Sequence, residues 1–336
     1  MEVGYSRPMK IVVTGGAGFI GSHLVDTLLA LEHEVIVIDD LSTSVRSNLG
    51  TAIHNSKFTF LEGSVLDRGL LERVMGDCEY VFHLAAAVGV FNIVNKPLSS
   101  LNTNIRGTEN VFEAANKFKV PVFLASSSEV YGKNTSNALA ENDDRILGSP
   151  VTLRWSYSEA KAIDESLAYA YFVENNLETR IVRFFNTVGP RQLGAYGMVV
   201  PRFIKSALLN EPLTIFGDGN QTRCFTHVFD VVDAVIALAF SASTVGKVVN
   251  IGNKTEISIN DLAKKVIAEI GSKSEMLHIP YAEAYGDGFE DMERRVPNIE
   301  LIKSLVGWEP KRDLSTIISD IASEMNKESH MDTTLG

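Results

Sequence analysis

The apolar positions of the first 185 residues fall into short β-branched runs that alternate with longer stretches of helical spacing. Runs at 10–14, 34–38, 58–61, 80–84, 122–125 and 179–184 read as strands, too brief and too continuously apolar for helices. Between them, 22–31, 67–75 and 98–118 repeat apolar residues every three to four positions, as a helix with one buried face does. Neighbouring parallel strands need a helical crossover, so this alternation predicts an α/β fold built on a doubly wound, Rossmann-type parallel sheet.

Beyond residue 184 the pattern loosens. A loop-rich stretch opens at 185–191, followed by a helix at 201–209, a strand and Gly-Asp-Gly turn over 212–219, and a strongly apolar helix at 228–240. The expected division is a dinucleotide-binding domain at 1–185, with helix 228–240 packing back on it, and a smaller α/β substrate lobe at 186–330. The polar stretch 327–336 reads as a frayed end.

Composition narrows the function classes. With 336 residues, 45% of them hydrophobic and 22% charged, the chain can bury a full core. A net charge of −11 argues against a nucleic-acid surface, which needs clustered Lys and Arg, but not against a small phosphorylated ligand. Cys78 and Cys224 are the only cysteines, so neither a disulfide framework nor a zinc cluster is expected, and no metal. No apolar run approaches the roughly 20 residues of a membrane span. The cytoplasm is the expected location, with no membrane and no nucleic acid as partner.

Two patterns carry chemistry. Gly15, Gly18 and Gly21 follow the first strand at three-residue spacing and lead straight into a helix. Strand, glycine turn, helix is the context of a phosphate-binding loop: glycines allow close backbone approach, and the helix start offers free N–H groups to a pyrophosphate. At the end of the second strand, Asp39 falls where a dinucleotide fold holds the adenosine ribose, with Asp40 beside it. A carboxylate there repels a 2′-phosphate and favours NAD over NADP. Farther on, Tyr157 and Lys161 stand four residues apart, on one face of a helix. An ammonium one turn away favours the phenolate, which can then take a proton from an alcohol.

From residue 9 to about 322 the chain resembles the extended short-chain dehydrogenase/reductase family, the group that modifies nucleotide sugars. The resemblance rests on the Thr14-to-Gly21 loop, His83-Leu84-Ala85-Ala86, Asn104-Ile105-Arg106-Gly107-Thr108, the Ser126-to-Gly132 stretch and the Tyr157-to-Lys161 motif. It implies cofactor contacts from Gly15, Gly18, Phe19, Ile20, Gly21, Asp39, Asp40, Val65, Leu84, Ala85, Ala86, Asn104, Tyr157 and Lys161. Ser64 stands where many relatives carry the Asp that reads the adenine amine. Ser127 matches the Ser or Thr that hydrogen-bonds the sugar hydroxyl being oxidised, and Lys161 the residue that holds the nicotinamide ribose and lowers the tyrosine pKa.

The pair Ser128-Glu129 resembles the Ser-Glu or Cys-Glu of the decarboxylases in this family, and Arg154-Trp155-Ser156-Tyr157 resembles their UDP-apiose/UDP-xylose synthase branch. Arg295, in Arg-Val-Pro-Asn-Ile, matches the arginine that reaches the sugar carboxylate, with Arg294 as its solvated neighbour. Asn186, Val200, Phe216 and Arg223 match substrate positions, Arg223 being suited to a phosphate because a guanidinium offers two hydrogen bonds. His227 is expected as a structural hydrogen bonder and Asp230 as a helix cap. The resemblance implies an NAD-dependent UDP-glucuronate decarboxylase, catalytic through Ser127, Ser128, Glu129, Tyr157, Lys161 and Arg295, and a homodimer. A UDP-sugar 4-epimerase using the same residues is the alternative, and a catalytically silent NAD-binding regulator the reading from outside enzymology.

Overall fold

The computed structural model describes residues 7–89, 95–194, 198–280, 283, 292 and 294–334, with side chains as far as residue 327. Strands β1 (Lys10–Thr14), β2 (Glu34–Asp39), β3 (Phe58–Glu62), β4 (Tyr80–His83), β5 (Val122–Ser127), β6 (Thr179–Phe184) and an edge strand, Val248–Ile251, form one seven-stranded sheet. Its order is edge strand, β6, β5, β4, β1, β2, β3, and every pair is parallel.

The continuous apolar runs have a direct cause: both faces of the sheet are covered. Ile11, Val13, Val35 and Val37 pack into one core cluster, while Val12, Ile36 and Ile38 pack into the other. Successive strand side chains point to opposite faces, so neither set can be polar. Leu24 and Leu28 of helix Phe19–Ala30, with Val231 and Val235 of helix Val228–Ala239, close the first face. Leu71 of helix Arg68–Met75 and Val111 and Phe112 of helix Gly107–Phe118 close the second. Each such side chain contributes roughly 1.5–3 kcal/mol by leaving water.

Local signals set the helix ends. Asp67 caps helix Arg68–Met75 by accepting the Leu70 N–H at 3.0 Å. The single helix predicted at 98–118 is instead Pro97–Leu101, a π-helical turn at Asn102–Arg106, and Gly107–Phe118. A π turn widens the coil by one residue without breaking it, which apolar spacing cannot register.

The division at residue 186 is not clean. Val248–Ile251 falls in the expected small lobe, yet pairs with β6 in the large sheet. The remaining lobe consists of paired short strands, Leu213–Phe216 with Met276–Ile279 and Thr222–Cys224 with Glu256–Ser258, and of helices Val199–Leu208, Ile259–Ile270 and Leu314–Thr334. Phe203, Leu262 and Ile317 meet in its core. The stretch expected to fray is helical through Thr334.

From the β1–β4 seam the chain winds outward in both directions, to β2 and β3 on one side and β5 and β6 on the other. That reversal opens a crevice at the strand ends, the usual ligand position of such sheets. No described helix is long and apolar enough to cross a membrane, and no group of His, Cys, Asp and Glu among the described residues could hold a metal ion.

Candidate active site

A cleft follows the crevice from the ends of β1 and β2, across β4, to the ends of β5 and β6. At its first end the glycine loop turns through Gly15 at a φ of 72°. A Cβ on Gly15 would stand 2.7 Å from the Ala85 backbone nitrogen, and one on Gly21 would overlap the Gly15 carbonyl. Only glycine fits either place. Helix Phe19–Ala30 begins with no side-chain cap and no acidic residue in its first turn, so its leading N–H groups remain available to an anion.

Asp39 is buried and ties this end together. Its Oδ2 accepts the Ala17 N–H at 2.9 Å, and its Oδ1 accepts the Leu41 N–H at 2.9 Å and the Ser44 hydroxyl at 2.8 Å. Gly15, Gly18, Phe19, Ile20, Gly21, Asp39, Asp40, Ser64, Val65, Leu84, Ala85 and Ala86 all line the cleft. A tight glycine cradle, an open helix start and an acid at the second strand's end fit a dinucleotide. Asn104 is different. Its amide is buried and committed to Ala87, accepting that residue's N–H at 2.8 Å and donating to its carbonyl at 3.2 Å. It braces the wall from behind and is not among the lining residues.

At the far end, three expected residues converge. Ser127 closes β5 beside the Tyr157 phenol, and Tyr157 and Lys161 share the inner face of helix Ser156–Asn175. The tyrosine's environment departs from the expectation, however. Burial pushes its pKa above the ordinary value, Glu129 and Asp164 add to the rise, and only the polar Ser127 side chain opposes it. Lys161 is instead paired with Asp164 at 3.1 Å, and both are nearly inaccessible to solvent. Burial in turn raises the Asp164 pKa against the pull of the Lys161 ammonium. Behind them lies a buried polar chain: Thr108 meets His83 Nε2 at 3.0 Å, and His83 Nδ1 meets the Thr14 hydroxyl at 2.7 Å. Burial, then the Lys161 charge, drives the His83 pKa down to about 3, so this imidazole is neutral.

Glu129 is the second carboxylate whose charge acts on Tyr157. Arg154 grips its carboxylate with two hydrogen bonds, 2.6 and 3.1 Å, and Arg295 adds one at 2.8 Å. Arg295 also donates to the Ser128 hydroxyl at 3.3 Å. Burial pushes the Glu129 pKa up, but Arg295 and Arg154 outweigh it and hold the carboxyl ionised far below the usual range. The segment carrying Arg295 is pinned by backbone bonds from Leu139 to Val296 and from Asn298 to Leu139, and by Asn250, whose amide donates to the Leu139 and Asn298 carbonyls.

The remaining sequence candidates divide. Asn186 lines the cleft, its amide nitrogen donating to the Cys224 carbonyl at 3.1 Å. Val200 does not: it is wholly buried in the small lobe's core, because it lies on the apolar face of helix Val199–Leu208. Phe216 and Arg223 are outside the lining as well; the Phe216 ring carries the Arg202 guanidinium, and Arg223 Nη1 donates to the Thr222 carbonyl. His227 is structural as expected, but it, rather than Asp230, caps helix Val228–Ala239 by accepting the Phe229 N–H. Asp230 accepts the N–H groups of Lys311 and Arg312 and the Arg312 guanidinium, fastening a later loop to the helix. Arg294 pairs with Glu256 at the surface, as its solvated reading requires. Missed in the sequence were Asp164, three residues past Lys161 on the same helical face, and Arg191, Gln192, Thr43, Ser44 and Asn48 in the lining.

A doubly wound parallel sheet, a glycine-loop cleft and a Ser-Tyr-Lys set at its far end together define a short-chain dehydrogenase/reductase. The chain belongs to the NAD dependent epimerase/dehydratase family, which it matches over residues 11–252. It is 38% identical over 306 residues to the UDP-N-acetyl-alpha-D-glucosaminuronate decarboxylase of Bacillus cytotoxicus, covering 90% of this chain and 92% of that one. It is 36% identical over 301 residues to UDP-glucuronic acid decarboxylase 1 of Xenopus tropicalis, covering 90% and 68%. Among solved structures, UDP-glucuronic acid 4-epimerase from Bacillus cereus, in complex with UDP-glucuronic acid and NAD, superposes with a TM-score of 0.86 at 30% identity, covering 95% of this chain and 100% of that one.

Proposed function

We propose that this chain is an NAD-dependent decarboxylase of a UDP-linked uronate, UDP-glucuronate or its 2-acetamido counterpart. The observation that carries the reading is the Ser128, Glu129, Arg154 and Arg295 cluster at the sugar end of the cleft, beside Tyr157. The decarboxylases it resembles supply the two substrates.

In this reading the Gly15-to-Gly21 loop and Asp39 hold NAD, which supplies the hydride acceptor when bound. Ser127 positions the C4 hydroxyl and Tyr157 takes its proton. Oxidation at C4 makes the C6 carboxylate that of a β-keto acid, whose carbon–carbon bond to C6 breaks readily because the electron pair enters the new carbonyl. Arg295 orients that carboxylate. Held ionised between two guanidiniums, Glu129 acts through its charge and position rather than as a proton donor. C5 then takes a proton from water as the enolate returns to the ketone; UDP-glucuronate gives a UDP-4-keto-pentose, or UDP-xylose if that ketone is reduced by the NADH formed, and the 2-acetamido uronate gives the matching 2-acetamido products.

A C4 epimerase shares the first step, and the structural likeness to the uronate epimerase keeps it as the second reading. Mass spectrometry and NMR of each uronate incubated with the protein and NAD⁺ separate the two. Loss of the mass of carbon dioxide supports the decarboxylase; unchanged mass with inverted C4 overturns it. We also propose a homodimer through the 98–118 helical segment and helix Ser156–Asn175, on the second of which Ile163, Tyr169 and Val173 are half exposed. Light scattering at a monomer's mass would overturn that.

A further inference from the structure

Glu129 and an incoming uronate compete for the same guanidinium. Arg295 reaches Glu129 through a single hydrogen bond of 2.8 Å and the Ser128 hydroxyl through one of 3.3 Å. Its guanidinium has donors still to place. Arg154 is held quite differently. It touches both Glu129 oxygens, its guanidinium carbon lies 5.4 Å from the centre of the Trp155 ring, and that ring is 1% exposed and carries the Lys133 ammonium 5.5 Å from the same centre. Stacking and bidentate pairing both fix a planar guanidinium in place.

We propose that Arg154 is a specificity-determining positioning residue: by occupying both oxygens of Glu129 it limits that carboxylate's grip on Arg295, leaving Arg295 able to turn to the carboxylate of the uronate. The inference rests on the uronate reading of the site. Without Arg154, Glu129 turns both oxygens to Arg295, and the substrate carboxylate must displace a bidentate ion pair instead of a single bond. Without Arg154 and without the Glu129 charge, the competition vanishes. Arg154 therefore matters for binding a carboxylate only while Glu129 is an anion.

Binding is measured by calorimetry on the NAD⁺-loaded protein, every form carrying Tyr157→Phe to prevent turnover. The ligands are UDP-glucuronate and, as its carboxylate-free control, UDP-glucose. Arg154→Met is expected to weaken UDP-glucuronate about tenfold or more, the scale of a charged hydrogen bond, and to leave UDP-glucose within about twofold. Adding Glu129→Gln to Arg154→Met is expected to restore UDP-glucuronate to within a few-fold of the parent. This double variant also guards against misfolding, because it removes the buried pair as a unit. Equal weakening of both ligands, or no recovery in the double variant, overturns the proposal and makes Arg154 structural. A parent that binds UDP-glucose as tightly as UDP-glucuronate overturns the uronate reading itself, and this inference with it.

Discussion

Two buried carboxylates act on Tyr157 and are treated in opposite ways. Asp164 has one cation, Lys161, and its pKa is raised; Glu129 has two, Arg154 and Arg295, and its pKa is depressed. Burial disfavours both charges, so the number of guanidinium or ammonium partners decides the sign. The Asp164 pair is assembled within one helical turn, whereas the partners of Glu129 come from 25 and 166 residues away. In the proposed function one cluster serves the oxidation at C4, the other the loss of the sugar carboxylate.

Removing the residue on which both carboxylates act has the largest effect. Tyr157→Phe should lower kcat by roughly 10²–10⁴ while NAD⁺ binding persists, since it deletes a proton acceptor and little volume. Near-normal turnover would show that neither cluster acts through the tyrosine. Next is Asp164→Asn: burial disfavours the Asp164 charge more than the Lys161 ammonium favours it, so removing that charge should raise rather than lower stability in urea at pH 7. A loss of about 3 kcal/mol would instead mean that the Lys161 ammonium cannot stay buried without its counter-charge.

Glu129→Gln should separate the two ends functionally. NADH should still form in a single turnover while carbon dioxide release slows by at least about tenfold. If both fall together, Glu129 serves the fold and not the later chemistry.

Acid unfolding sharpens the contrast through its sign. Glu129 titrates lower folded than unfolded, so its stabilisation is complete above its ordinary 4.5 and is lost as pH falls below that. Asp164 titrates higher folded than unfolded, so its penalty is full above that raised pKa and is relieved as pH falls through it toward 3.8. Glu129→Gln should therefore make stability less sensitive to acid, and Asp164→Asn more so, in urea midpoints followed from pH 6 downward. Slopes that match the parent in both variants would remove the electrostatic distinction. The smallest effect belongs to Arg294→Ala: its pair with Glu256 is largely exposed, and unfolding should change by less than about 1 kcal/mol with activity intact. An activity loss like that of Arg295 variants would reassign the sugar contact.

Much of this molecule is local in origin and legible along the chain. The strands of the sheet follow from β-branched runs that must be apolar on both faces, and the glycine loop from a spacing suited to a phosphate-binding turn. Tyr157 and Lys161 meet because helical geometry stacks residues four apart, and Asp164 was open to the same reading, one turn beyond. Other features needed the fold. Val200 has a substrate-like position in the sequence, but the amphipathic helix carrying it turns that side chain into the core. The resemblance sets Asn104 against the cofactor, whereas the π turn directs its amide to the Ala87 backbone. Apolar periodicity and motif spacing together determined the class of fold, the glycine-loop end of the cleft and the placing of Tyr157 with Lys161, because each depends on residues within a few turns of one another. Which cation neutralises which buried carboxylate was decided only in the tertiary structure, where Leu139 and Asn250 pin the Arg295 segment over the end of β5. Coulomb energy depends on distance in space, and no spacing along the chain encodes a contact closed across 166 residues.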